Sequence, residues 1–264
     1  MAASAAEDIR GNMVDFFETI MRCDPDTEFM RGGGIIRHRH HIPFPMLNRV
    51  LQFSADAVRI EETAVEYRNA NVPCLWLTWS DDPECEVKEA LLEERGFQRI
   101  GRMPGMALEL GEWDPLGAEP PSPLEILPAV HPSDVKALAG ILQPAFNLPD
   151  AVRDALERFF LNAGLDTGAP IRHFVAWLDG RPVSTATMFE EGGVAGLYFV
   201  ATSADYRGRG LGKAITLHAL KEAKSRGAER VILHASQAGQ GIYRNIGFQN
   251  KVQIGRYLSS ITSG

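Results

Sequence analysis

The stretch from Val200 to Gly212 constrains this chain most, because it has the pattern of a strand, a tight glycine-rich turn and the start of a helix. Gly208, Gly210 and Gly212, at alternate positions, let such a turn adopt backbone angles closed to other residues and let backbone amides approach a ligand closely. The first N–H groups of the following helix lack intrahelical acceptors and favour an anion. The pattern therefore predicts a binding site for a phosphate-bearing ligand.

The spacing of the glycines excludes two common phosphate loops. A nucleoside-triphosphate loop requires Gly-Lys-Ser/Thr, whereas Gly212 is followed by Lys213 and Ala214. A dinucleotide loop requires Gly-x-Gly-x-x-Gly, which is also absent. The turn instead fits Arg/Gln-x-x-Gly-x-Gly over residues 207–212, and Arg207 and Arg209 add positive charge.

The segments downstream of the turn form a second signature. Residues 211–226 predict a helix that Gly227 terminates, and residues 231–235 predict a short buried strand. Tyr243 then lies four residues before the pair Gly247-Phe248.

The phosphate loop and Tyr-x-x-x-Gly-Phe, separated by one helix and one strand, resemble the GNAT N-acetyltransferase superfamily. The resemblance implies acetyl-coenzyme A as cofactor, with its pyrophosphate on the loop, its pantetheine arm on the backbone of the preceding strand, and Tyr243 as the general acid. Ser236 stands where many relatives carry a cofactor-contacting asparagine, and Gly239 where they often carry alanine. The cofactor-binding residues so implied are Val200, Thr202, Arg207, Gly208, Arg209, Gly210, Leu211, Gly212, Lys213 and Ser236.

The general base stays open at this level. Some relatives carry a glutamate on the central strand, but the corresponding neighbourhood here, residues 195–197, holds no carboxylate. Glu190 and Glu191 at the preceding turn, Tyr198 on the strand, and a water chain are the alternatives.

The order of predicted elements after residue 123 matches the GNAT topology. Asp179-Gly180 suits a two-residue hairpin turn. The predicted elements are a strand over 124–130, a helix beginning near Val135 and capped by Ser133-Asp134, a helix over 150–161, hairpin strands over 172–178 and 181–189, and a strand over 195–202.

The first half of the chain weakly repeats the second. Residues 91–98 align with residues 242–249, and residues 53–56 align with residues 202–205. The first copy, however, carries Val58, Glu61 and Thr63 in place of the loop residues, and Leu92 in place of the tyrosine. The alternative is chance similarity between two α/β segments.

The predicted fold class is α/β (α+β), with two tandem GNAT-like domains that each have a mixed, mostly antiparallel central sheet flanked by helices. Residues 1–118 would form a degenerate domain without a cofactor loop, and residues 119–264 the catalytic domain. The boundary is placed in the proline-rich segment 117–123.

Composition limits the partners. The chain of 264 residues has 45% hydrophobic and 23% charged residues, as in a soluble globular protein, and its net charge of −7 disfavours nucleic acid. Three cysteines without metal-type spacing, no signal peptide and no long apolar run predict a cytoplasmic protein that does not contact a membrane. The sequence does not determine the oligomeric state, and a homodimer is one of the alternatives.

Two further clusters of residues are interpreted as structural and not as functional sites. The basic segment 37–41 predicts an exposed strand and no metal site, because no acidic residue or cysteine is close in sequence. Trp76, Trp79 and Phe97 predict a core of the first half.

The function predicted from these patterns is acetyl transfer from acetyl-coenzyme A to a primary amine of a small molecule or peptide, by direct attack on the thioester. A non-catalytic acyl-coenzyme A sensor or scaffold is the alternative, and a nucleotide-binding protein is a third.

Overall fold

The computed structural model describes residues 3–114, 123–166 and 168–259. Within them the helices are α1 (Ala5–Met21), α2 (Ala57–Asn69), α3 (Cys85–Glu94), α4 (Pro132–Ala145), α5 (Asp150–Asn162), α6 (Leu211–Ser225) and α7 (Gln240–Ile246). The strands are β1 (Thr27–Gly32), β2 (Ile35–His40), β3 (Arg49–Phe53), β4 (Leu75–Trp79), β5 (Gln98–Glu109), β6 (Glu125–Pro128), β7 (Ile171–Leu178), β8 (Arg181–Glu191), β9 (Val194–Thr202), β10 (Arg230–His234) and β11 (Gln249–Leu258). Single 3₁₀ turns cover Pro45–Leu47 and Ala204–Tyr206. The predicted α/β class with mixed, mostly antiparallel strands is confirmed.

The chain divides into two compact units. Unit 1 comprises Met1–Phe16 and Met106–Asn250, and unit 2 comprises Phe17–Gly105 and Lys251–Gly264. The predicted boundary at 118/119, and most of the proline-rich segment, lie outside the described residues, so that boundary stays a prediction. None of the helices in the described ranges is both long and apolar enough to cross a bilayer.

Unit 1 is built on strands in the order β5-β10-β9-β8-β7-β6, with β5 contributing from Met106 onward. β9 and β10 are parallel, and β8, β7 and β6 follow as antiparallel neighbours. Leu197 of β9 and Val231 of β10 pack with α6 through Ile215. Tyr198, one position on, stacks instead on Phe16 of α1. Because strand side chains alternate, α6 and α1 cover opposite faces.

The sequence predicted most element positions in unit 1 correctly. The β7–β8 hairpin turns at Asp179 and Gly180, whose φ angles of 51° and 71° are those of the predicted primed turn. The predicted start of α4 is wrong: the helix begins at Pro132, with His131 at its N-cap. Proline is favoured in the first helical turn, and Asp134 accepts hydrogen bonds from two N–H groups before the helix, which places it inside the helix.

Unit 2 contains strands in the order β1-β2-β3-β4-β11-β5. The β3–β4 pair is parallel, through Arg49 opposite Leu75 and Val50 opposite Trp76, and β1–β2, β2–β3 and β4–β11 are antiparallel. The predicted aromatic core is confirmed: Trp76 is fully buried and meets the rings of Phe53 and Phe97 edge-on at 4.9 and 5.4 Å.

The prediction of an exposed basic strand over 37–41 is wrong for its central residues. Arg37, His38 and His40 are buried. The His38 ring stacks on Phe17, and Nδ1–H of His38 donates to the carbonyl of Leu47. The charge pattern alone did not reveal that the end of α1 covers this strand.

Candidate functional site

The glycine-rich turn has the predicted backbone at two of its three glycines, because Gly212 lies inside α6. Gly208 and Gly210 adopt φ angles of 76° and 78°, which are unfavourable for other residues. A Cβ atom at either position would meet no protein atom within 4 Å. The main chain of the turn is therefore open on the side where a side chain would otherwise stand.

The N-terminus of α6 follows this turn without a side-chain cap. Gly210 is the N-cap residue, and no side chain of the described residues accepts a hydrogen bond from the first amides of the helix. These amides, at residues 211–213, together with the helix dipole, form the standard environment for a phosphate group. The predicted anion site fits a pyrophosphate on these grounds.

The ladder between β9 and β10 ends next to this site. The two strands pair from Val194 opposite Arg230 to Leu197 opposite Leu233, and β9 then continues to Thr202. A β-bulge against β8 lies in the same segment, where Phe199 has a φ angle of 49°. The backbone around Val200 thus extends beyond the parallel ladder, so that its polar groups can pair with an extended ligand.

Three elements converge on the turn. A Cβ atom at Gly212 of α6 would lie 3.5 Å from Oγ1 of Thr202 and 3.9 Å from Cδ1 of Ile242 in α7. Oγ1 of Thr202 is also 3.0 Å from Oγ of Ser184. The end of β9, the start of α6 and the side of α7 therefore form one continuous wall.

The cationic residues of the turn are solvent-exposed, and two of them hydrogen-bond back to it. Arg207 donates from Nε to the carbonyl of Thr202, and Arg209 donates to the carbonyl of Asp205 while lying over the Tyr206 ring. Lys213 is exposed on the first turn of α6, and the buried side chain of Leu211 anchors that turn. The site is therefore positively charged at its open side.

Tyr243 lies on α7 close to two other predicted site residues. A Cβ atom at Gly239 would lie 3.1 Å from Cε2 of Tyr243 and 3.3 Å from Oγ of Ser236. Oγ of Ser236 accepts from the amide of Gly239, so Ser236 stabilises the start of α7. Burial raises the pKa of the Tyr243 phenol to about 12, so the group is protonated at neutral pH.

Packing by α1 explains the missing strand carboxylate. A Cβ atom at Gly196 would clash with the side chains of Asn12 and Tyr198. The Tyr198 hydroxyl donates to Oδ1 of Asn12 at 2.8 Å, and Nδ2 of Asn12 donates to the carbonyl of Val194. A glutamate at position 196 would have no room. Tyr198 itself belongs to the core, and burial raises its pKa well above the usual value.

Glu190 and Glu191 are not near the proposed reaction centre. They pair with Ala195 and Val194 at the beginning of β9, about 20 Å of strand from Thr202. Glu190 also forms ion pairs with Arg226 and Arg172. Both glutamates are therefore at the end of β9 opposite to Thr202.

Sequence reasoning missed two residues at this site, Asn12 and His234. His234 ends β10 one residue after the last β9–β10 pair, and its ring centroid lies 5.8 Å from that of Tyr198. Its place at the carboxyl end of a predicted strand was a usable signal. Asn12, 186 residues from Tyr198 along the chain, had none.

The structure also brings Asp26 beside His40 and His41, with one possible ligand atom of each within 4.8 Å of the others. The sequence argument considered only residues close along the chain, so it did not include Asp26. However, Nδ1 of His40 accepts a hydrogen bond from the amide of Ile42, which places the ring proton on Nε2. A protonated nitrogen does not bind a metal, so this cluster is a poor metal site.

Comparisons with known proteins agree with this geometry. The family model described as acetyltransferase (GNAT) family matches residues 136–248, which include every predicted site residue. No curated protein matches the sequence.

Solved structures share the fold at low identity. A GCN5-related N-acetyltransferase from Kribbella flavida has a TM-score of 0.71 at 18% identity, over 97% of this chain and 96% of that one. A functionally unknown conserved protein from Staphylococcus epidermidis has a TM-score of 0.67 at 15% identity, over 92% and 96%. A tandem GNAT protein from the clavulanic acid biosynthesis pathway, solved without AcCoA, has a TM-score of 0.59 at 14% identity, over 98% and 96%. Residues 136–248 therefore match the acetyltransferase (GNAT) family model, and the whole chain shares its fold with a tandem GNAT protein.

Proposed function

We propose that this chain is an acetyl-coenzyme A-dependent N-acetyltransferase whose site lies in unit 1. The observation that carries the proposal is the uncapped N-terminus of α6 behind two glycines with positive φ, next to the point where β9 leaves β10. A pyrophosphate suits the amides, and an extended pantetheine arm suits the strand edge. The acceptor would be a primary amine of a small molecule or peptide.

The residues of the turn would bind rather than react. The amides of residues 208–213 would hold the pyrophosphate, with Arg207, Arg209 and Lys213 supplying positive charge. Backbone groups at Val200 and Thr202 would hold the pantetheine arm. Acetyl-coenzyme A would supply the thioester from which the acetyl group is transferred.

Transfer requires one proton to leave and one to arrive. The amine nitrogen forms a bond to the acetyl carbon, the carbon–sulfur bond breaks, and the sulfur takes up a proton. We assign that proton to the phenol of Tyr243, which burial keeps protonated. The raised pKa weakens it as an acid by about 2.7 kcal/mol relative to an ordinary tyrosine, so its main contribution is a hydrogen bond to the developing thiolate.

We assign release of the amine proton to His234. It lies where the β9–β10 ladder ends, and histidine is the side chain that most often accepts protons near neutral pH. The strand carboxylate position is closed at Gly196, and Glu190 and Glu191 are at the far end of β9.

Two measurements test the proposal in sequence. Calorimetry with coenzyme A, ATP and NAD should show binding of coenzyme A alone, and preference for either nucleotide would contradict the cofactor assignment. Release of free thiol from acetyl-coenzyme A with a panel of polyamines, amino acids, aminoglycosides and peptides should then identify an acceptor. Binding without release with any amine would favour the alternative, an acyl-coenzyme A sensor or scaffold.

A further inference from the structure

Two arginines of unit 2 lie on the same face of its strands. Arg49 of β3 is opposite Leu75 of β4, and Arg256 of β11 is opposite Leu77 of the same β4. Their neighbours Val50 and Tyr257 point into the aromatic core on the other face. The two arginines are therefore separated by one strand, about 10 Å, and by an offset of two residues, about 7 Å. Their long side chains can bring the guanidinium groups closer than the backbone.

Neither guanidinium has an acidic partner, which sets this pair apart. Nε of each is buried without a hydrogen-bond acceptor, and no carboxylate of the described chain lies within ion-pairing distance of either group. The buried cations elsewhere in unit 2 are paired: Arg37 with Glu66, and Lys88 with Asp82. Arg49 and Arg256 are themselves only partly buried, but they form a pair of like charge with no carboxylate of the described residues beside it.

The groups around the arginines supply little compensation. The Arg49 guanidinium lies 4.6 Å from the Phe17 ring centroid, and Arg256 donates a long 3.5 Å hydrogen bond to the carbonyl of Ile100. His38 next to Arg49 uses Nδ1–H on a carbonyl. Burial first, and then the charge of Arg256, lower the pKa of Arg49 to about 10, so the Arg49 guanidinium is charged at neutral pH.

We propose that Arg49 and Arg256 bind a doubly charged oxyanion group in unit 2, either a phosphate monoester or a pair of carboxylates on a small molecule. Guanidinium forks donate parallel hydrogen bonds to both kinds of group. Two guanidinium groups without a neighbouring carboxylate match a ligand with two negative charges. A cation or a neutral ligand would leave the guanidinium charges uncompensated. This site shares no residue with the coenzyme A site of unit 1.

The test uses the full chain at low ionic strength and pH 8. Inorganic phosphate and malonate are the two probes, with sodium chloride at matched ionic strength as the reference. The midpoint of thermal unfolding should rise saturably by a few degrees with at least one probe, because binding stabilises the folded state. A response to phosphate alone would identify a phosphate ester as the ligand class, and a response to malonate alone a dicarboxylate.

Variants separate this site from the phosphate loop of unit 1. Arg49→Gln with Arg256→Gln should abolish the response of the protein saturated with coenzyme A. Arg59→Gln removes one charge from an exposed, acid-paired arginine of the same unit and should leave the response intact. If the double variant does not fold, Arg256→Lys alone should weaken the response several-fold, because an ammonium lacks the fork.

Two results would overturn the proposal. One is an equal midpoint in phosphate, malonate and chloride. The other is a response that survives in the double variant, which would place the anion elsewhere. Neither result bears on coenzyme A binding or thiol release, so the proposed function stands or fails separately.

Discussion

The two units place a strand before a helix in the same way but end the connection differently. In unit 2, β3 is followed after three residues by α2, and the carboxylate of Asp56 accepts from the amides of Val58 and Arg59. In unit 1, β9 is followed by a 3₁₀ turn and the glycines, and α6 begins at Leu211 after Gly210, an N-cap residue that has no side chain.

The difference explains why a pyrophosphate site at a helix N-terminus is expected in unit 1 only. A carboxylate N-cap uses the amides that a phosphate would need and repels its charge. The alignment of the two halves used Glu61 to predict that the first half lacks a cofactor loop, but Glu61 lies inside α2. Asp56, which the alignment matched to Asp205, is the residue whose carboxylate accepts hydrogen bonds from the first amides of α2.

Gly210→Asp should have the largest effect, because it removes the difference between the two helix N-termini. It would place in unit 1 the carboxylate that Asp56 provides in unit 2, and the affinity for coenzyme A should fall about 1000-fold, or about 4 kcal/mol. Aspartate tolerates the left-handed region better than most residues, so charge rather than strain dominates. Calorimetry measures the loss.

Gly210→Ala is the matched control for strain, because it adds a Cβ atom at a φ of 78° without a charge. It should cost only about 1–2 kcal/mol. Equal losses in the two variants would show that the carboxylate is not the cause.

The second difference between the units is that α3 of unit 2 has Leu92 where α7 of unit 1 has Tyr243. Tyr243→Phe tests whether the hydroxyl matters. We expect kcat to fall about 100- to 1000-fold with unchanged coenzyme A affinity, because only the proton donor is removed. Since the pKa of Tyr243 is raised to about 12, the wild-type rate should not decline near pH 10, where an ordinary tyrosine ionises.

Tyr257→Phe provides the control in unit 2, where burial likewise raises the pKa of the phenol to about 12. It should leave turnover unchanged. A similar loss of rate in both variants would attribute the effect to general destabilisation.

His234→Gln should lower kcat by about 10- to 100-fold, since water can replace part of its role. The acidic limb of the pH–rate profile should flatten in the variant, because that limb reports protonation of the base. A lower rate with an unchanged pH profile would instead indicate that His234 only packs against Tyr198.

A buried histidine in each unit predicts acid sensitivity. Burial lowers the pKa of His173 to about 3, and burial with the charge of Arg49 lowers that of His38 to about 3. Because the unfolded chain takes up these protons near pH 6.5, stability is full above pH 6.5 and is lost as the pH falls toward 3.

Between pH 6.5 and 5 each histidine should account for about 2 kcal/mol of that loss. Urea unfolding at pH 6.5 and pH 5 measures this loss of unfolding free energy. In His173→Gln, and likewise in His38→Gln, the loss should be about half of that in the wild type. Wild-type pH dependence in either variant would contradict the assignment for that unit.

Asp56→Ala should have the smallest effect. Unlike Gly210→Asp, it should change the free energy of unfolding and not the affinity for coenzyme A. Loss of the N-cap of α2 should cost about 1 kcal/mol of unfolding free energy. Affinity for coenzyme A should not change. A change in affinity would show that the cap of unit 2 contributes to cofactor binding.

Local patterns were predicted well wherever backbone chemistry controls them. Gly96 and Gly247 end α3 and α7 with positive φ angles, and the phenylalanines after them are buried, as the aligned Gly-Phe pairs indicated. The start of α4 was missed because a proline at the first helical position competes with the Ser-Asp signal.

The sequence by itself determined the glycine turn, its positive charge and the spacing to Tyr243, because each depends on residues close along the chain and on backbone angles that few residue types adopt. Only the tertiary structure decided that Asn12 and Tyr198 close the carboxylate position at Gly196, that His234 stands where β9 and β10 separate, and that Arg49 and Arg256 share a face without an acid. Those facts depend on contacts between segments up to about 200 residues apart, and short-range patterns carry no information about such contacts.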